Sequence, residues 1–152
     1  MNLYLWLKLI HILSATVLFG TGMGTAFFML KAYLSGNEEA MRVTTRTVVI
    51  ADWLFTTPAV IIQLLTGLWL TSVLNIAYSS AWFVSVIALY VFVGLCWLPV
   101  VWIQIRVRNL IEDGRTRDSY AGLMRIWIAL GVPAFAAVIV IFYLMVSKTG
   151  LR

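Results

Sequence analysis

The single histidine of the chain, His11, is the residue whose type could carry the most chemistry, because an imidazole can ligate a metal or pass a proton near neutral pH. It lies inside a long apolar stretch, where ionisable residues are costly and usually face a bundle interior or a cavity. Helical spacing places a mostly small or polar set on its face: Ser14, Ala15, Leu18, Gly22 and Thr25. Such a face lets a neighbouring helix or a flat cofactor approach the backbone closely.

Two uses of this face follow from its small residues. Gly20 and Gly24 form a GxxxG pair of the kind that tightens helix packing, and packing is the favoured interpretation of these glycines. The other use is a haem site. His11 would be the axial ligand, and a six-coordinate iron would need a second one, from Met23, Met29 or the His11 of a second copy. For His11 itself, a ligand or proton-relay role and a hydrogen bond within the bundle both stay open.

A second polar stripe recurs at the helical period in the next apolar segment: Asp52, Thr56, Ala59, Gln63, Thr66 and Gly67. Asp52 lies about two turns inside its segment, where a carboxyl group must be protonated or accompanied by a cation. Arg106 and Arg125 are its predicted partners, in an ion pair that fixes how helices dock. A proton pathway is the less favoured alternative. Pro58 is predicted to kink this segment.

These residues belong to a strongly apolar chain of 152 residues, of which 62% are hydrophobic and 11% charged. Soluble domains average about 25% charged residues. Four apolar segments cover about residues 3–34, 47–74, 82–105 and 123–146, and each supplies the ~20 residues needed to cross a bilayer. The predicted fold is an all-α, integral membrane four-helix bundle in a single domain, embedded in the lipid bilayer.

Basic residues orient the bundle. They collect between segments one and two and between segments three and four: Lys31, Arg42, Arg46, Arg106, Arg108, Arg115, Arg117 and Arg125. The opposite side has Lys8, Lys148 and Arg152. The positive-inside rule therefore predicts a bacterial inner-membrane protein with both basic loops in the cytoplasm and both termini outside. It also accounts for the net charge of +5 without a nucleic-acid partner.

Aromatic residues near the segment ends predict two interfacial belts. The outer belt comprises Trp6, Tyr78, Trp82 and Tyr143, and the inner belt Trp53, Trp102 and Trp127. The sequence has no phosphate-binding glycine loop and no paired intramembrane carboxylates, and with Cys96 as its single cysteine it offers no internal disulfide. Hydrolase and nucleotide-driven functions are disfavoured. No catalytic constellation is complete, so whether the chain is an enzyme stays open.

Three motifs carry a resemblance. They are WLKLIHILSATVLFGTGMG at residues 6–24, TGLWL at residues 66–70 and WLPVVWIQIRVRNL at residues 97–110. Over nearly its whole length the chain resembles the bacterial four-helix membrane family catalogued as domain of unknown function twenty-two sixty-nine. Its opening is also similar to HemJ-type protoporphyrinogen oxidases, small bundles that bind b-type haem through a first-helix histidine. That likeness implies haem b at His11, with Ser14, Ala15 and Gly22 beside the ring.

The same likeness disfavours the oxidase reaction. HemJ-type proteins have a functionally required lysine early in the third helix, after a tryptophan, whereas here Ser85 and Val86 follow Trp82. The ligand position carries over, and the catalytic position does not. Copper-resistance membrane proteins are a more distant likeness, and one histidine with scattered methionines predicts a poor copper site.

Three functional classes therefore compete. The first is a haem-binding redox or haem-handling protein, in which a homodimer could share the haem. The second is a structural or accessory subunit of a larger membrane complex. The third is a small transporter or proton-coupled carrier, which predicts a water-accessible cavity that joins His11 to Asp52.

Overall fold

Four long helices make up almost all of the computed structural model, which describes residues 2–148. We number them α1 (Leu3–Ser35), α2 (Glu38–Val73), α3 (Ala81–Glu112) and α4 (Asp118–Ser147). All four are long and apolar enough to cross a membrane, and residues 2–148 contain no strand. The predicted all-α, four-span fold is confirmed. Arg152, which entered the charge count, lies outside the described residues.

Helix α2 begins well before the predicted span. The Asn37 side chain caps it by accepting hydrogen bonds from the N–H groups of Glu39 and Ala40, each at 3.0 Å. Acidic side chains in the first turn, such as Glu38, favour a helix start because they face the positive end of the helix dipole. Residues 38–46 are therefore helical rather than a loop. Helix α3 likewise ends after its predicted apolar segment, and α4 begins before its own.

A π-helical turn, Asp52–Thr56, interrupts α2 between the α-helical segments Glu38–Ala51 and Thr57–Val73. Its cause is Pro58, which lacks an N–H group and cannot continue the regular hydrogen-bond ladder. The Thr57 N–H instead bonds the Asp52 carbonyl, five residues back. The π-helical turn lies just before Pro58, the residue at which a kink was predicted. Single π-helical turns are frequent at functional sites, and this one carries Asp52.

The helices pack tightly at one end and loosely in the middle. The arginine-rich end of the bundle is the one where α1 and α3 finish and α2 and α4 start. Its core contains fully buried apolar side chains, three of them long, flexible methionines: Met29, Met41, Met124 and Val107. Helix α1 packs on α2, and α3 packs on α4. Beyond the core, α1 meets α4 mainly through ring contacts of Phe19 with Phe135 and Phe142. This leaves space between α1 and α4.

Candidate functional site

The predicted site residue His11 lies in a polar cluster between α1 and α2, which we call the His11 cluster: His11, Ser14, Gln63 and Thr66. His11 Nδ1 is 2.8 Å from Thr66 Oγ1, and His11 Nε2 is 3.0 Å from the Gln63 amide nitrogen. The Ser14 hydroxyl lies against the Gln63 carbonyl oxygen at 2.5 Å and the His11 carbonyl at 2.9 Å. The cluster therefore ties the two helices together through side chains of both.

The hydrogen bonds of the His11 cluster are mutually consistent. Thr66 Oγ1 donates to the Ile62 carbonyl at 2.6 Å, so its oxygen accepts from His11 Nδ1–H. His11 is then a neutral imidazole whose Nε2 lone pair accepts from the Gln63 amide. The ring also lies close to the α2 backbone, since a Cβ added at Gly67 would be 3.2 Å from His11 Cε1. Both ring nitrogens have partners, and a glycine makes room for the ring.

This arrangement does not fit a haem held by His11. A haem iron needs a free imidazole nitrogen, and both nitrogens of His11 face partners on α2. Neither His11 nor Ser14 lines either of the two cavities described below, while Ala15 lines the smaller and Gly22 the larger. The four residues predicted to hold the ring therefore do not form one pocket. Haem binding stays a prediction whose test is spectroscopic.

A cavity of about 590 Å³ lies among all four helices. Ligand sites typically enclose ~300–1,000 Å³ and have mostly apolar walls with a few placed polar groups. Here the walls are apolar along most of their length. Polar side chains concentrate on the side nearer the arginine-rich end, which we call the polar end of the cavity: Asp52, Thr56, Gln104 and Trp127.

Unpartnered atoms mark this polar end. Asp52, Gln104 and Trp127 are only 4%, 3% and 6% exposed. The Thr56 hydroxyl donates to Asp52 Oδ1 at 2.9 Å, and the Gln104 side chain lies beside the same carboxyl group. Asp52 Oδ2, Gln104 Oε1 and Trp127 Nε1 have no hydrogen-bond partner, and within residues 2–148 they are the buried side-chain atoms of which this is true. Leaving such an atom unpaired costs ~1–3 kcal/mol.

The ion pair predicted for Asp52 is wrong. Arg106 and Arg125 are exposed, whereas Asp52 is buried among uncharged groups. The reason is helical geometry: Gln104 faces the cavity, and Arg106, two residues further on, points about 200° away around the helix. Trp127 and Arg125 are related in the same way. In the described chain, salt bridges join Arg42 to Glu39 and Arg46 to Glu112.

A smaller cavity of about 100 Å³ adjoins the large one, and both are lined by Thr56 and Trp97. Gln63 lines the small cavity with its side chain already bonded to His11. The predicted polar stripe of α2 is therefore divided. Asp52 and Thr56 face the large cavity, while Gln63 and Thr66 belong to the His11 cluster.

Sequence reasoning missed two residues of the polar end. Gln104 received no role, although an amide inside the apolar run WLPVVWIQI is itself a signal for a site. Trp127 was placed in the inner aromatic belt, but it is buried against the cavity. Trp82, placed in the outer belt, is buried too and donates to the Leu144 carbonyl at 2.8 Å. The remaining belt residues are exposed: Trp6, Tyr78, Tyr143, Trp53 and Trp102.

The glycines of α1 also differ from their predicted role. A Cβ added at Gly20 or Gly24 would meet no atom within 4 Å among the described residues. Packing through this GxxxG pair is therefore wrong for the single chain. At Gly22 the added Cβ would contact the Phe135 ring at 3.6 Å, at the wall of the large cavity.

Four membrane-length helices around a polar-ended cavity define a multi-pass membrane protein of the helical-bundle class. Residues 5–149 match the family described as predicted integral membrane protein (DUF2269), and the chain belongs to that family. No curated protein and no solved structure matches the chain. The family resemblance is confirmed, whereas the likeness to HemJ-type oxidases is not among the matches.

Proposed function

We propose that this membrane protein binds a small molecule inside its helical bundle and acts as a carrier for it. One observation carries the proposal: the three unpartnered buried polar atoms of the described side chains belong to residues that line one cavity. Buried polar groups in native proteins are almost always hydrogen-bonded. The presence of all three in the wall of one cavity supports a bound molecule that supplies the missing partners.

Loose packing alone is a poor explanation for this cavity. The adjacent core at the arginine-rich end packs Met29 and Met124 without exposed surface. An empty space in a bundle costs free energy in proportion to its volume, and a space lined by unpartnered polar atoms costs more. Tight packing at the arginine-rich end directly beside a cavity is consistent with a binding site.

The carrier class is supported by the second cavity. The two spaces share walls and together extend from Asp52 to Gln63, which is bonded to His11. This resembles the cavity that the carrier hypothesis expects, except that His11 stands behind Gln63 rather than in the wall. A homodimer and a larger membrane complex remain proposals to be tested by the mass of the purified particle.

Cavity filling tests the proposal. Gly131 lines the large cavity, and a Cβ there meets open space, so Gly131→Phe should fill it. Gly20→Phe is the matched control, because Gly20 is also unobstructed but lies outside both cavities. Native mass spectrometry of protein released from membranes should show a bound small molecule in the wild type and in Gly20→Phe, and none in Gly131→Phe. Wild-type protein without bound mass, or equal binding in all three, would overturn the proposal.

We propose the bacterial inner membrane as the location, with the arginine-rich end in the cytoplasm. The support is the arginine asymmetry of the loops under the positive-inside rule. Reporter fusions at Gly114 should report a cytoplasmic position, and fusions after Arg152 an external one. Opposite results at both positions would reverse the orientation and place the polar end of the cavity in the outer half.

A further inference from the structure

The large cavity opens sideways between α1 and α4. Several of its wall residues are also exposed on the outer surface of the bundle, among them Phe27 on α1, which is 58% exposed, and Val132 on α4, which is 66% exposed. Met23 and Ile139 are exposed beside them. These residues lie within membrane-length helices, so this surface faces lipid acyl chains rather than water. A molecule can therefore reach the cavity from the bilayer.

The polar end restricts the chemistry of the occupant. Trp127 Nε1 can only donate a hydrogen bond, and Gln104 Oε1 can only accept one. Asp52 Oδ2 accepts when the carboxyl is ionised and can donate when it is protonated. A hydroxyl group both accepts and donates, so its hydrogen-bonding capacity matches a wall that presents both an unpartnered donor and unpartnered acceptors. A bare hydrocarbon satisfies none of them.

Charged head groups fit less well. A carboxylate head would accept from Trp127 but would offer no proton to Gln104, and it would bring a second carboxyl group beside Asp52. Within the described residues no salt-bridging cation accompanies Asp52 to offset that repulsion. The apolar walls beyond the polar end suit an uncharged body.

We propose that the occupant is an uncharged, lipid-soluble amphiphile with a hydroxyl head, such as a long-chain alcohol or a phenol. It enters from the bilayer between α1 and α4 and places its hydroxyl at the polar end of the cavity. This inference rests on the proposed function, because it specifies the molecule that the cavity binds.

Quenching of tryptophan fluorescence by brominated probes tests the head group. Trp97 lines the cavity about two helical turns from Gln104, so a bromine atom at the far end of a chain whose head lies at the polar end should quench it. Three probes with one chain length differ only in the head: 11-bromo-1-undecanol, 1-bromoundecane and 11-bromoundecanoic acid. With the full chain in lipid nanodiscs, the alcohol should quench saturably and bind about tenfold more tightly than either of the others, as expected for one or two additional hydrogen bonds.

Three variants locate the effect. Gln104→Leu removes an unpartnered acceptor, and it should weaken binding of the alcohol about five- to tenfold while leaving binding of 1-bromoundecane unchanged. Val132→Phe narrows the opening and should slow the onset of quenching by the alcohol. Ile126→Phe is its control, because Ile126 is exposed on the same helix and does not line the cavity.

The outcomes separate this inference from the proposed function. If 1-bromoundecane or the acid binds as tightly as the alcohol, the hydroxyl head is wrong, while a cavity that binds apolar molecules stands. If no probe quenches saturably but native mass spectrometry detects a molecule that Gly131→Phe loses, the lipid-soluble alcohol is wrong and the proposed function stands. If neither experiment detects a bound molecule, both proposals fail.

Discussion

The His11 cluster and the polar end of the cavity place polar groups from α2 against another helix in opposite ways. In the His11 cluster both imidazole nitrogens, the Gln63 amide and the Ser14 hydroxyl all have partners. At the polar end, Asp52 and Gln104 each keep one atom without any. The first arrangement is complete within the chain, whereas the second leaves polar atoms without a partner. The residue that a chemist would choose first, the lone histidine, is therefore the one whose bonding capacity is already used.

The difference assigns different roles to the two glutamines. Interhelical hydrogen bonds in membranes contribute modestly, ~0.6 kcal/mol on average and up to ~1.7, but a polar group that loses its partner costs more. Gln63 is held on both sides, so its role is to join α1 to α2. Gln104 has an unpaired oxygen, so under the proposed function it is a group that would meet the bound molecule.

The largest expected effect comes from making the same substitution at both glutamines. Gln63→Leu leaves His11 Nε2 without a partner and removes one acceptor of the Ser14 hydroxyl, so it should lower the free energy of unfolding by about 1–3 kcal/mol. Gln104→Leu removes an oxygen that has no partner together with an amide group that lies beside the Asp52 carboxyl, and it should lower that free energy by no more than about 1 kcal/mol. Thermal unfolding in detergent, followed by circular dichroism, measures both.

The two variants share the incoming side chain and the apolar surroundings, so each controls for the other. Equal losses of stability would show that Gln104 is as much a structural joint as Gln63. The contrast between a complete His11 cluster and an incomplete polar end would then be wrong. A loss of stability confined to Gln63→Leu would support that contrast.

The sequence predicted the fold well because membrane-spanning helices follow directly from the length of apolar segments. Its errors lie at helix ends and in side-chain directions. The start of α2 was missed because the polar residues 38–46 read as a loop, whereas the Asn37 cap makes them the first turns of a helix. The apolar composition does not indicate where this helix starts, whereas the capping residue Asn37 does.

The site was harder to predict because it depends on which way each helix is turned. The sequence showed that Asp52 was unusual. An ion pair with Arg106, however, requires Arg106 to lie on the face of α3 that packs against α2. The structure turns α3 so that Gln104 faces Asp52 and Arg106 is exposed. A uniformly apolar helix gives no periodic signal for its orientation. The contact between His11 and Gly67 was likewise invisible, because it joins residues of two separate helices.

A smaller effect is expected where the histidine ring meets the α2 backbone. Gly67→Ala gains helix propensity but places its Cβ 3.2 Å from a ring fixed by two hydrogen bonds. Gly24→Ala gains the same propensity where no described atom is within 4 Å of the new Cβ. The free energy of unfolding of Gly67→Ala should be about 1–2 kcal/mol below that of Gly24→Ala. Chemical or thermal unfolding of both proteins in one detergent gives this difference. If Gly67→Ala is as stable as Gly24→Ala, the ring moves easily and the cluster is looser than its hydrogen bonds indicate.

The smallest expected effect is on the absorption spectrum, and it decides whether the His11 cluster is complete. Because both ring nitrogens are bonded within the chain, protein purified from haem-replete cells should show no Soret band that depends on His11. The test compares the wild type with His11→Ala and with Gly22→Leu, which fills the wall of the large cavity beside Phe135 and leaves the histidine intact. A Soret band that is present in the wild type and lost in both variants would mean that Gln63 releases His11 to bind iron and that the predicted haem site forms. A band that persists in His11→Ala would instead place the haem elsewhere and leave the His11 cluster as the joint between α1 and α2.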